Sequence, residues 1–273
     1  ATQEPLIETL NCLNNIKIAH FEGGELSGTV DEMFRHSISK LCNIHFVTNS
    51  AAKKRLLQMG ENRKNIFITG SPDIDIILSK KLPSLNETNQ RYELKFKKFS
   101  IAIFHPVTPD ISNLKKNIRM FIKALVLSKK NYVVIYPNND LGSKIIIDEL
   151  KKITVNRVKI FPSLRFENYL TLLKNAEFII GNSSSGIIEA PYYGVPTINI
   201  GERQKNRANI KSIIDCSYNS NEILKAIDKL DKKNYNKKTY FFGHGDSDKK
   251  VIKILLTSSI WKTNNHKQFL EIK

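Results

Sequence analysis

The stretch FIIGNSSSGIIEAPYYGVPTINIG, residues 178–201, carries the pattern that decides the fold. A short apolar run at Phe178–Ile180 leads into a turn of small and hydroxylated residues, and a second apolar run follows at Thr197–Ile200. The residues between them predict a short helix that carries Glu189 one turn in. Short, continuous, β-branched runs are typical of strands buried on both faces of a parallel sheet. The stretch therefore predicts a strand–helix–strand unit whose turn can hold a ligand.

The same alternation of strand-like and helix-like segments continues along most of the chain. The other apolar runs are Ile16–Ala19, His45–Val47, Ile66–Thr69, Ile101–Phe104, Tyr132–Tyr136 and Val158–Phe161. Between Phe166 and Leu173 the apolar residues have the i, i+3, i+4, i+7 spacing of an amphipathic helix that faces a sheet. Repetition of this kind predicts an α/β fold with doubly wound parallel sheets.

The polar segment around residues 80–99 predicts a boundary between two Rossmann-like domains. We assign residues 1–85 to an N-terminal domain, 86–99 to a linker, 100–250 to a C-terminal nucleotide-binding domain and 251–273 to a C-terminal helical segment. The first domain contains only three predicted strands, and domains usually run to about 100–150 residues. We therefore expect the N-terminal domain to be incomplete.

Composition narrows the class of protein. The chain has 273 residues, of which 41% are hydrophobic and 25% charged, and a formal net charge of +17. No apolar run approaches the roughly 20 residues of a membrane helix, and no secretory signal is apparent at the start. Three cysteines without CxxC spacing indicate a reducing compartment and argue against a thiolate metal site. We therefore expect a cytoplasmic protein with no membrane partner.

The basic charge invites a nucleic-acid interpretation, but the lysines are spread along the chain rather than clustered on one motif. We interpret the positive charge as a general feature of this lysine-rich composition and do not expect nucleic acid as a partner. A basic surface would still help to attract an anionic small substrate.

Polar residues that follow the predicted strands are the candidates for chemistry, because ligands of open parallel sheets bind beyond the carboxyl ends of the strands. After the first strand come Glu22, Glu25 and Asp31. Neighbouring carboxylates can split their pKa values and serve as acid and base. The alternative is that Asp31 only begins a helix and pairs with Arg35, while Glu22 lies in an exposed loop.

Two further turns that follow predicted strands give weaker evidence for a functional site. Gly70-Ser71-Pro72 closes a strand and begins a helix at Pro72, a favoured first helical position, and it is interpreted as an ordinary strand-to-helix turn. His105 follows the strand Ile101–Phe104 directly, where a side chain can project towards a ligand. A structural role for His105 is the open alternative.

The serine-rich turn has the strongest binding signal. Ser183 and Ser184 offer hydroxyls and backbone N–H groups that suit a phosphate, and Glu189 can accept hydrogen bonds from a ribose diol. Arg203 follows the next strand and can reach a phosphate. The chain has no GxGxxG, no GxxxxGK[ST] and no His–Cys metal spacing. The alternative is an ordinary capped helix.

Five segments in order resemble the hydrolysing UDP-N-acetylglucosamine 2-epimerases of sialic acid biosynthesis. They are HFEGGELSGTVDEMFRHSISKL (20–41), NIFITGSPDID (65–75), FHPVT (104–108), YPNND (136–140) and GNSSSGIIEAPYYGVPTINIGERQ (181–204). The resemblance implies a two-domain, glycosyltransferase-B-like fold without metal or other cofactor. It also implies conversion of the UDP-sugar and water into N-acetylmannosamine and UDP through a glycal, by a homodimer or tetramer.

The resemblance also assigns roles to the candidate residues. Glu22 and Asp31 match two catalytic carboxylates, and His105 matches a histidine that contacts the substrate. The matches to the nucleotide-binding segment are Ser183, Ser184, Glu189 and Arg203.

The family pattern also has a preceding stretch with a catalytic aspartate in an HGDR motif. We therefore expect a chain truncated before Ala1 and poorly active alone. The alternatives left open are a diacetamido sugar nucleotide as substrate, a glycosyltransferase of the same architecture, and a truncated remnant that only binds UDP.

Overall fold

The computed structural model describes residues 9, 11–27, 31–79, 81–205, 207–232 and 238–271. The chain forms two compact units, one of Ala1–Ser79 with Tyr240–Lys273 and the other of Lys80–Thr239. Each unit holds a parallel sheet with helices in the connections. The predicted α/β class with two Rossmann-like domains is confirmed.

The first unit is built on a three-stranded sheet. Its elements from the start of the chain are β1 (Ala19–Phe21), α1 (Asp31–Leu41), β2 (Ile44–Val47), α2 (Ser50–Gln58), β3 (Ile66–Ile68) and α3 (Pro72–Ile77). The strand order is β1-β2-β3, and both pairs are parallel. Every residue of the middle strand β2 is buried, as expected for a strand flanked on both edges.

The second unit is built on a six-stranded parallel sheet. Its strands are β4 (Ser100–Ile103), β5 (Tyr132–Ile135), β6 (Val158–Phe161), β7 (Ile179–Gly181), β8 (Thr197–Ile200) and β9 (Ile213–Cys216). Its helices are α4 (Leu85–Arg91), α5 (Leu114–Leu127), α6 (Ser143–Leu150), α7 (Phe166–Lys174), α8 (Ala190–Tyr193) and α9 (Ser220–Lys232). Helices α5 and α9 cover the core with Ile118, Phe121 and Ile223, which are at most 1% exposed.

The order of the six strands, β6-β5-β4-β7-β8-β9, contains one reversal. The chain runs outward from β4 through β5 to β6, returns to pair β7 with β4, and then continues in the opposite direction. Ligands of open α/β sheets bind at such a switch point, beyond the carboxyl ends of the strands. The residues that follow β4 and β7 are therefore the candidates for ligand binding in this unit.

Gly181 ends β7 and allows the close approach of the two central strands. Its φ is 135°, and a Cβ atom at this position would lie 1.7 Å from the carbonyl oxygen of Ile103. Only glycine fits a backbone of this conformation against a neighbouring carbonyl. The turn that follows β7 thus begins from a point fixed against the end of β4.

The last part of the chain returns to the first unit. Helices α10 (Ser247–Leu255) and α11 (Ser258–Trp261) belong there. The Asp75 carboxylate of α3 accepts hydrogen bonds from the Ser247 N–H over 3.1 Å, the Ser247 hydroxyl over 2.7 Å and the Asp248 N–H over 3.0 Å. No helix in the described ranges is long and apolar enough to cross a bilayer.

These contacts change the predicted domain boundaries. The segment predicted as a linker, 86–99, contains most of α4, whose capping box joins Ser84 and Glu87. Thr88 of this helix accepts a hydrogen bond from Asn168 of α7 over 3.0 Å, so α4 is part of the second unit. At the other end, residues 240–273 belong to the first unit instead of dividing at residue 250.

One strand prediction was wrong and one strand was not predicted, while the other seven strands agree within one residue at each end. The first strand was predicted at Ile16–Ala19 but lies at Ala19–Phe21, because Ile16 is 51% exposed and the pairing with β2 begins only at Ala19. Strand β9 was not predicted. It is a half-exposed edge strand whose sequence, IIDC, is short and interrupted by a charge.

Candidate functional site

A cavity of about 300 Å³ lies at the switch point of the second unit. Four residues predicted from the sequence line it, namely His105, Ser183, Ser184 and Glu189. Ser185 and Tyr169 also line it, and the remaining lining residues are Ile103, Ile135, Tyr136, Leu164 and Phe166. Apolar walls with a few convergent polar groups are the usual composition of a small-molecule site.

Asn182 clamps the backbone of His105. It is fully buried, its Oδ1 accepts from the His105 N–H over 2.6 Å, and its Nδ2 donates to the His105 carbonyl over 2.9 Å. These two bonds join the ends of β4 and β7 and fix the direction of the histidine side chain. The sequence analysis missed Asn182. Its place between Gly181 and the serines, directly after a buried strand, was the available signal.

The His105 imidazole is held in its neutral form. Burial, and next the positive charge of Arg203, lower its pKa from 6.5 to about 4. The Asn138 N–H donates to Nδ1 over 3.2 Å, so we assign the ring proton to Nε2. The Asn138 Oδ1 lies 3.1 Å from the same nitrogen and can accept from it only in a form that carries a proton on Nδ1. At neutral pH the ring therefore offers an Nε2–H donor.

The serine turn is a 3₁₀ turn and not the start of one continuous helix. Ser183 caps the turn Ser184–Gly186, and its hydroxyl accepts from the Ser185 N–H over 3.3 Å. Glu189 was predicted one turn inside a helix but lies just before α8. The helix restarts there because Pro191, its second residue, suits a first turn and cannot continue an earlier one.

Tyr169 contributes a contact that the sequence analysis did not foresee. Its hydroxyl hydrogen-bonds to that of Ser185, and burial, together with the negative charge of Glu189, raises the pKa of Tyr169. The helical stripe correctly placed Tyr169 on the buried face of α7. A buried tyrosine usually finds a hydrogen-bond partner, and this was the signal for the contact.

Arg203 lies beside the cavity rather than among its lining residues. Its Nη1 donates to the Asn182 carbonyl over 3.0 Å, and the Gln204 amide approaches the same oxygen at 3.4 Å. The charge of the guanidinium acts on His105. All five candidate residues of the second unit thus belong to one neighbourhood at the switch point.

The two candidate carboxylates belong to the first unit. Glu22 directly follows β1 with a φ of 60°, its N–H donates to the Phe46 carbonyl over 2.8 Å, and its Oε1 accepts a hydrogen bond from Ser71. Asp31 is the first residue of α1. The partly buried Glu22 is thus tied to two other elements and is not a simple exposed loop residue.

A buried carboxylate anchors the loop after Glu22. Glu25 is 3% exposed, and its Oε1 accepts from the Thr48 hydroxyl and from the Asn49 amide at 3.3 Å. Arg35, which the alternative interpretation paired with Asp31, donates to the Glu25 carbonyl over 3.3 Å and to the Ser27 hydroxyl over 3.2 Å. The loop is therefore fixed on the carboxyl end of β2.

Behind this loop lies a buried network of titratable groups. Burial, the largest cause, lowers the pKa of His20 to about 3, and His45 Nε2 lies 2.9 Å from Glu61 Oε2. Burial alone would raise the pKa of Glu61, but hydrogen bonds from His45, Lys267 and Lys40 lower it to about 2. The network ties the C-terminal segment to the sheet through Lys267.

A doubly wound parallel sheet with a cavity of apolar walls and a few polar groups at its switch point defines the class as an open α/β protein with a candidate ligand site. The profile of a family described as UDP-N-acetylglucosamine 2-epimerase matches residues 7–256. The UDP-N-acetylglucosamine 2-epimerase of Neisseria meningitidis serogroup B is 44% identical over 266 residues, which is 96% of this chain and 71% of that protein. The chain belongs to the UDP-N-acetylglucosamine 2-epimerase family.

A second group of relatives has a different printed substrate. The UDP-N,N'-diacetylbacillosamine 2-epimerase (hydrolyzing) of Legionella pneumophila is 35% identical and is matched over 89% of this chain and 65% of its own length.

Among solved structures, the Methanocaldococcus jannaschii enzyme in complex with UDP-GlcNAc and UDP matches with a TM-score of 0.79 and 21% identity, over 93% of this chain and 73% of that one. The Neisseria meningitidis enzyme bound to UDP-GlcNAc matches with a TM-score of 0.78 and 16% identity, over 94% and 74%. At these identities the structural matches establish the shared fold.

Proposed function

We propose that the chain catalyses the hydrolysing 2-epimerisation of UDP-N-acetylglucosamine to N-acetylmannosamine and UDP. The observation that carries the proposal is the cavity at the β4–β7 switch point, around which His105, Ser183, Ser184 and Glu189 meet. The sequence identified His105 as a candidate for substrate contact and Ser183, Ser184 and Glu189 as candidates for nucleotide binding. The chain belongs to the UDP-N-acetylglucosamine 2-epimerase family.

The polar groups of the cavity suit the two ends of a nucleoside diphosphate. The Glu189 carboxylate can accept hydrogen bonds from a ribose diol, and the hydroxyls of Ser183 and Ser184 can donate to phosphate oxygens. The Nε2–H of His105 and the guanidinium of Arg203 add a donor and a positive charge. Negative charge grows on the diphosphate as it departs, and fixed donors of this kind stabilise that change.

The reaction consists of an elimination followed by a hydration. A base removes the proton from C2 of the sugar, the C1–O bond breaks, and its electron pair leaves with UDP, giving a C1=C2 glycal. Water then adds its hydroxyl to C1, while C2 receives a proton on the opposite face. We assign these proton transfers to Glu22 and Asp31, because a carboxylate can accept a proton as a base and donate one as an acid.

A second candidate substrate is a diacetamido sugar nucleotide. The relatives from Legionella pneumophila and Campylobacter jejuni, at 35% and 34% identity, carry names of hydrolysing diacetylbacillosamine 2-epimerases. The chemistry at C1 and C2 is the same for this substrate. It differs in the sugar at positions away from C1 and C2, so the same cavity can hold the nucleotide of either candidate.

The test is a competition between the two substrates followed by ³¹P and ¹H NMR. With equimolar UDP-N-acetylglucosamine and UDP-diacetylbacillosamine, we expect UDP and N-acetylmannosamine to form first. Preferential consumption of the diacetamido nucleotide would transfer the assignment to the second candidate. Release of neither sugar would contradict both.

A further inference from the structure

We infer that Ser71 is a positioning residue for Glu22: its hydroxyl orients the Glu22 carboxylate and favours the ionised form of that carboxylate. The inference rests on the proposed function for the catalytic meaning of Glu22. The contact between Ser71 and Glu22 does not depend on that function, and both residues belong to the first unit. The sequence pattern of Gly70-Ser71-Pro72 predicts an ordinary strand-to-helix turn. In the structure, the Ser71 hydroxyl of this turn also contacts the Glu22 carboxylate.

The hydroxyl of Ser71 is shared between a helix and a carboxylate. Ser71 is 3% exposed and is the N-cap of α3, where its Oγ accepts from the Asp73 N–H over 3.3 Å. The same Oγ donates to Oε1 of Glu22. A hydroxyl has one hydrogen, so the bond accepted from Asp73 leaves that hydrogen for Glu22. An ionised carboxylate is the matching acceptor.

The backbone of Glu22 is fixed independently of its side chain. Its φ of 60° lies in the left-handed region, which is uncommon for a residue with a Cβ. The bond from its N–H to the Phe46 carbonyl of β2 holds this conformation. Strained backbone of this kind persists where the surroundings determine it and is concentrated at functional sites. With the backbone fixed at β2, the contact with Ser71 fixes the direction of the carboxylate.

Ser71 is itself held by the returning C-terminal segment. Its N–H donates to the Phe242 carbonyl over 2.7 Å. The neighbouring Gly70 and Gly243 have φ values of 89° and 125°, and a Cβ on Gly243 would lie 2.8 Å from the Cα of Gly70. Two glycines are therefore needed for the backbones to meet. The position of the hydroxyl depends on β3, α3 and the segment before α10 together.

The hydrogen bond from Ser71 affects the ionisation of Glu22, because its acceptor is a carboxylate that can carry a negative charge. A hydrogen bond to the ionised form of a carboxylate favours that form, and bonds to charged groups are stronger than neutral ones. Removing the hydroxyl should therefore raise the pH at which Glu22 ionises. It should also remove a contact that orients the carboxylate, and small losses of orientation are costly in catalysis.

The experiment follows the ionisation of Glu22 directly. Protein labelled with [¹³C]glutamate at the side-chain carboxyl is titrated by NMR, and the Glu22 signal is assigned by its loss in Glu22→Gln. We expect the midpoint of Glu22 in Ser71→Ala to lie about one pH unit or more above that of the wild type. The kcat should fall about tenfold or more, and the limb of the pH–rate profile that reports Glu22 should move upward with the midpoint. Ser71→Thr keeps the hydroxyl and should restore both values.

The matched control is Ser84→Ala. Ser84 also caps a short helix, accepting from the Glu87 N–H over 3.2 Å, but it lies in the second unit. This control removes a cap and should leave the Glu22 midpoint unchanged. If Ser71→Ala does not fold, Ser71→Cys, whose thiol is a weak donor, should give an intermediate upward shift.

An unchanged Glu22 midpoint in the folded Ser71 variant would overturn the inference. A wild-type chain that turns over neither candidate substrate would instead contradict the proposed function, and the NMR midpoints would still decide whether Ser71 controls the ionisation of Glu22.

Discussion

At the scale of single residues, the end of β7 shows how one turn fixes a site. Gly181 lets β7 approach the Ile103 carbonyl, and Asn182 then grips both backbone groups of His105. The next residue, Ser183, caps the serine turn. Three consecutive residues therefore allow the close approach of two strands, hold the backbone of His105 and cap the serine turn. Together they place the histidine and the serines around one cavity.

The lowered pKa of His105 predicts a loss of stability in acid. Its pKa is about 4 in the folded chain against 6.5 for the ordinary group, so the unfolded chain takes up the proton first as the pH falls. The unfolding free energy should decrease from about pH 6.5 to about pH 4, and this group adds no further loss below that. The expected contribution is on the order of 1–3 kcal/mol.

Urea unfolding at pH 7, 5.5 and 4.5 measures this effect. His105→Asn should lose less stability between pH 7 and 4.5 than the wild type does. The partly buried His20, whose pKa is about 3, still contributes to the slope in that variant. The exposed His266 is the control, and His266→Asn should follow the wild-type curve. Equal slopes for His105→Asn and the wild type would contradict the neutral, buried assignment.

Some site residues could be predicted from the sequence and others could not. His105 and Ser183 directly follow apolar runs, and the rule for parallel sheets places such residues at the ligand edge. The contacts of Tyr169 with Ser185 and of Ser71 with Glu22 join residues 16 and 49 positions apart. No local pattern specifies such pairs, because they depend on how separate elements pack.

At the scale of elements, the strongly apolar central strands were predictable and the weaker elements were not. Strands such as β5 (Tyr132–Ile135) are buried over nearly their whole length and read as continuous apolar runs. The edge strand β9 is half exposed, so its pattern is diluted by polar residues. Helix α4 is polar and seven residues long, and its capping box was the only clear local signal.

The segment that returns to the first unit also carries a prediction. Gly243→Ala places a Cβ 2.8 Å from the Cα of Gly70, so the turn that holds Ser71 must shift. We expect this variant to reproduce the behaviour of Ser71→Ala, with a higher Glu22 midpoint and a kcat reduced about tenfold. The same carboxyl NMR titration and a UDP-release assay measure both quantities.

Gly60→Ala is the matched control for backbone strain. Gly60 also has a positive φ, 80°, but a Cβ there would meet only the Leu270 carbonyl, at 3.4 Å. A left-handed alanine costs about 1–2 kcal/mol at either position, so both variants should lose stability. The account predicts that only Gly243→Ala changes the Glu22 midpoint, and an equal change in Gly60→Ala would refute the proposed link.

At the scale of the whole molecule, the chain divides its candidate chemistry between two units. The candidate binding residues, from His105 to Arg203, all belong to Lys80–Thr239, whereas Glu22 and Asp31 belong to the other unit. Each unit has its own buried apolar clusters. The fold class followed from the order of apolar runs along the sequence.

The unit to which the chain end belongs could not be predicted in the same way. Residues 240–273 join the first unit through contacts such as Asp75 with Ser247 and Glu61 with Lys267, which are 172 and 206 positions apart. Each partner is an ordinary polar residue in its own stretch of sequence. The boundary that we predicted from composition near residue 250 therefore lies about ten residues after the point where the chain returns to the first unit.

The central claim, hydrolytic epimerisation by elimination and hydration, is tested most directly by one isotope experiment. UDP-N-acetylglucosamine is incubated with the protein in D₂O enriched in ¹⁸O, and both products are analysed by mass spectrometry and NMR. We expect N-acetylmannosamine with one deuterium at C2 and UDP without ¹⁸O, because the sugar C1–O bond breaks. Formation of UDP-N-acetylmannosamine, absence of deuterium at C2, or ¹⁸O in the UDP would contradict it.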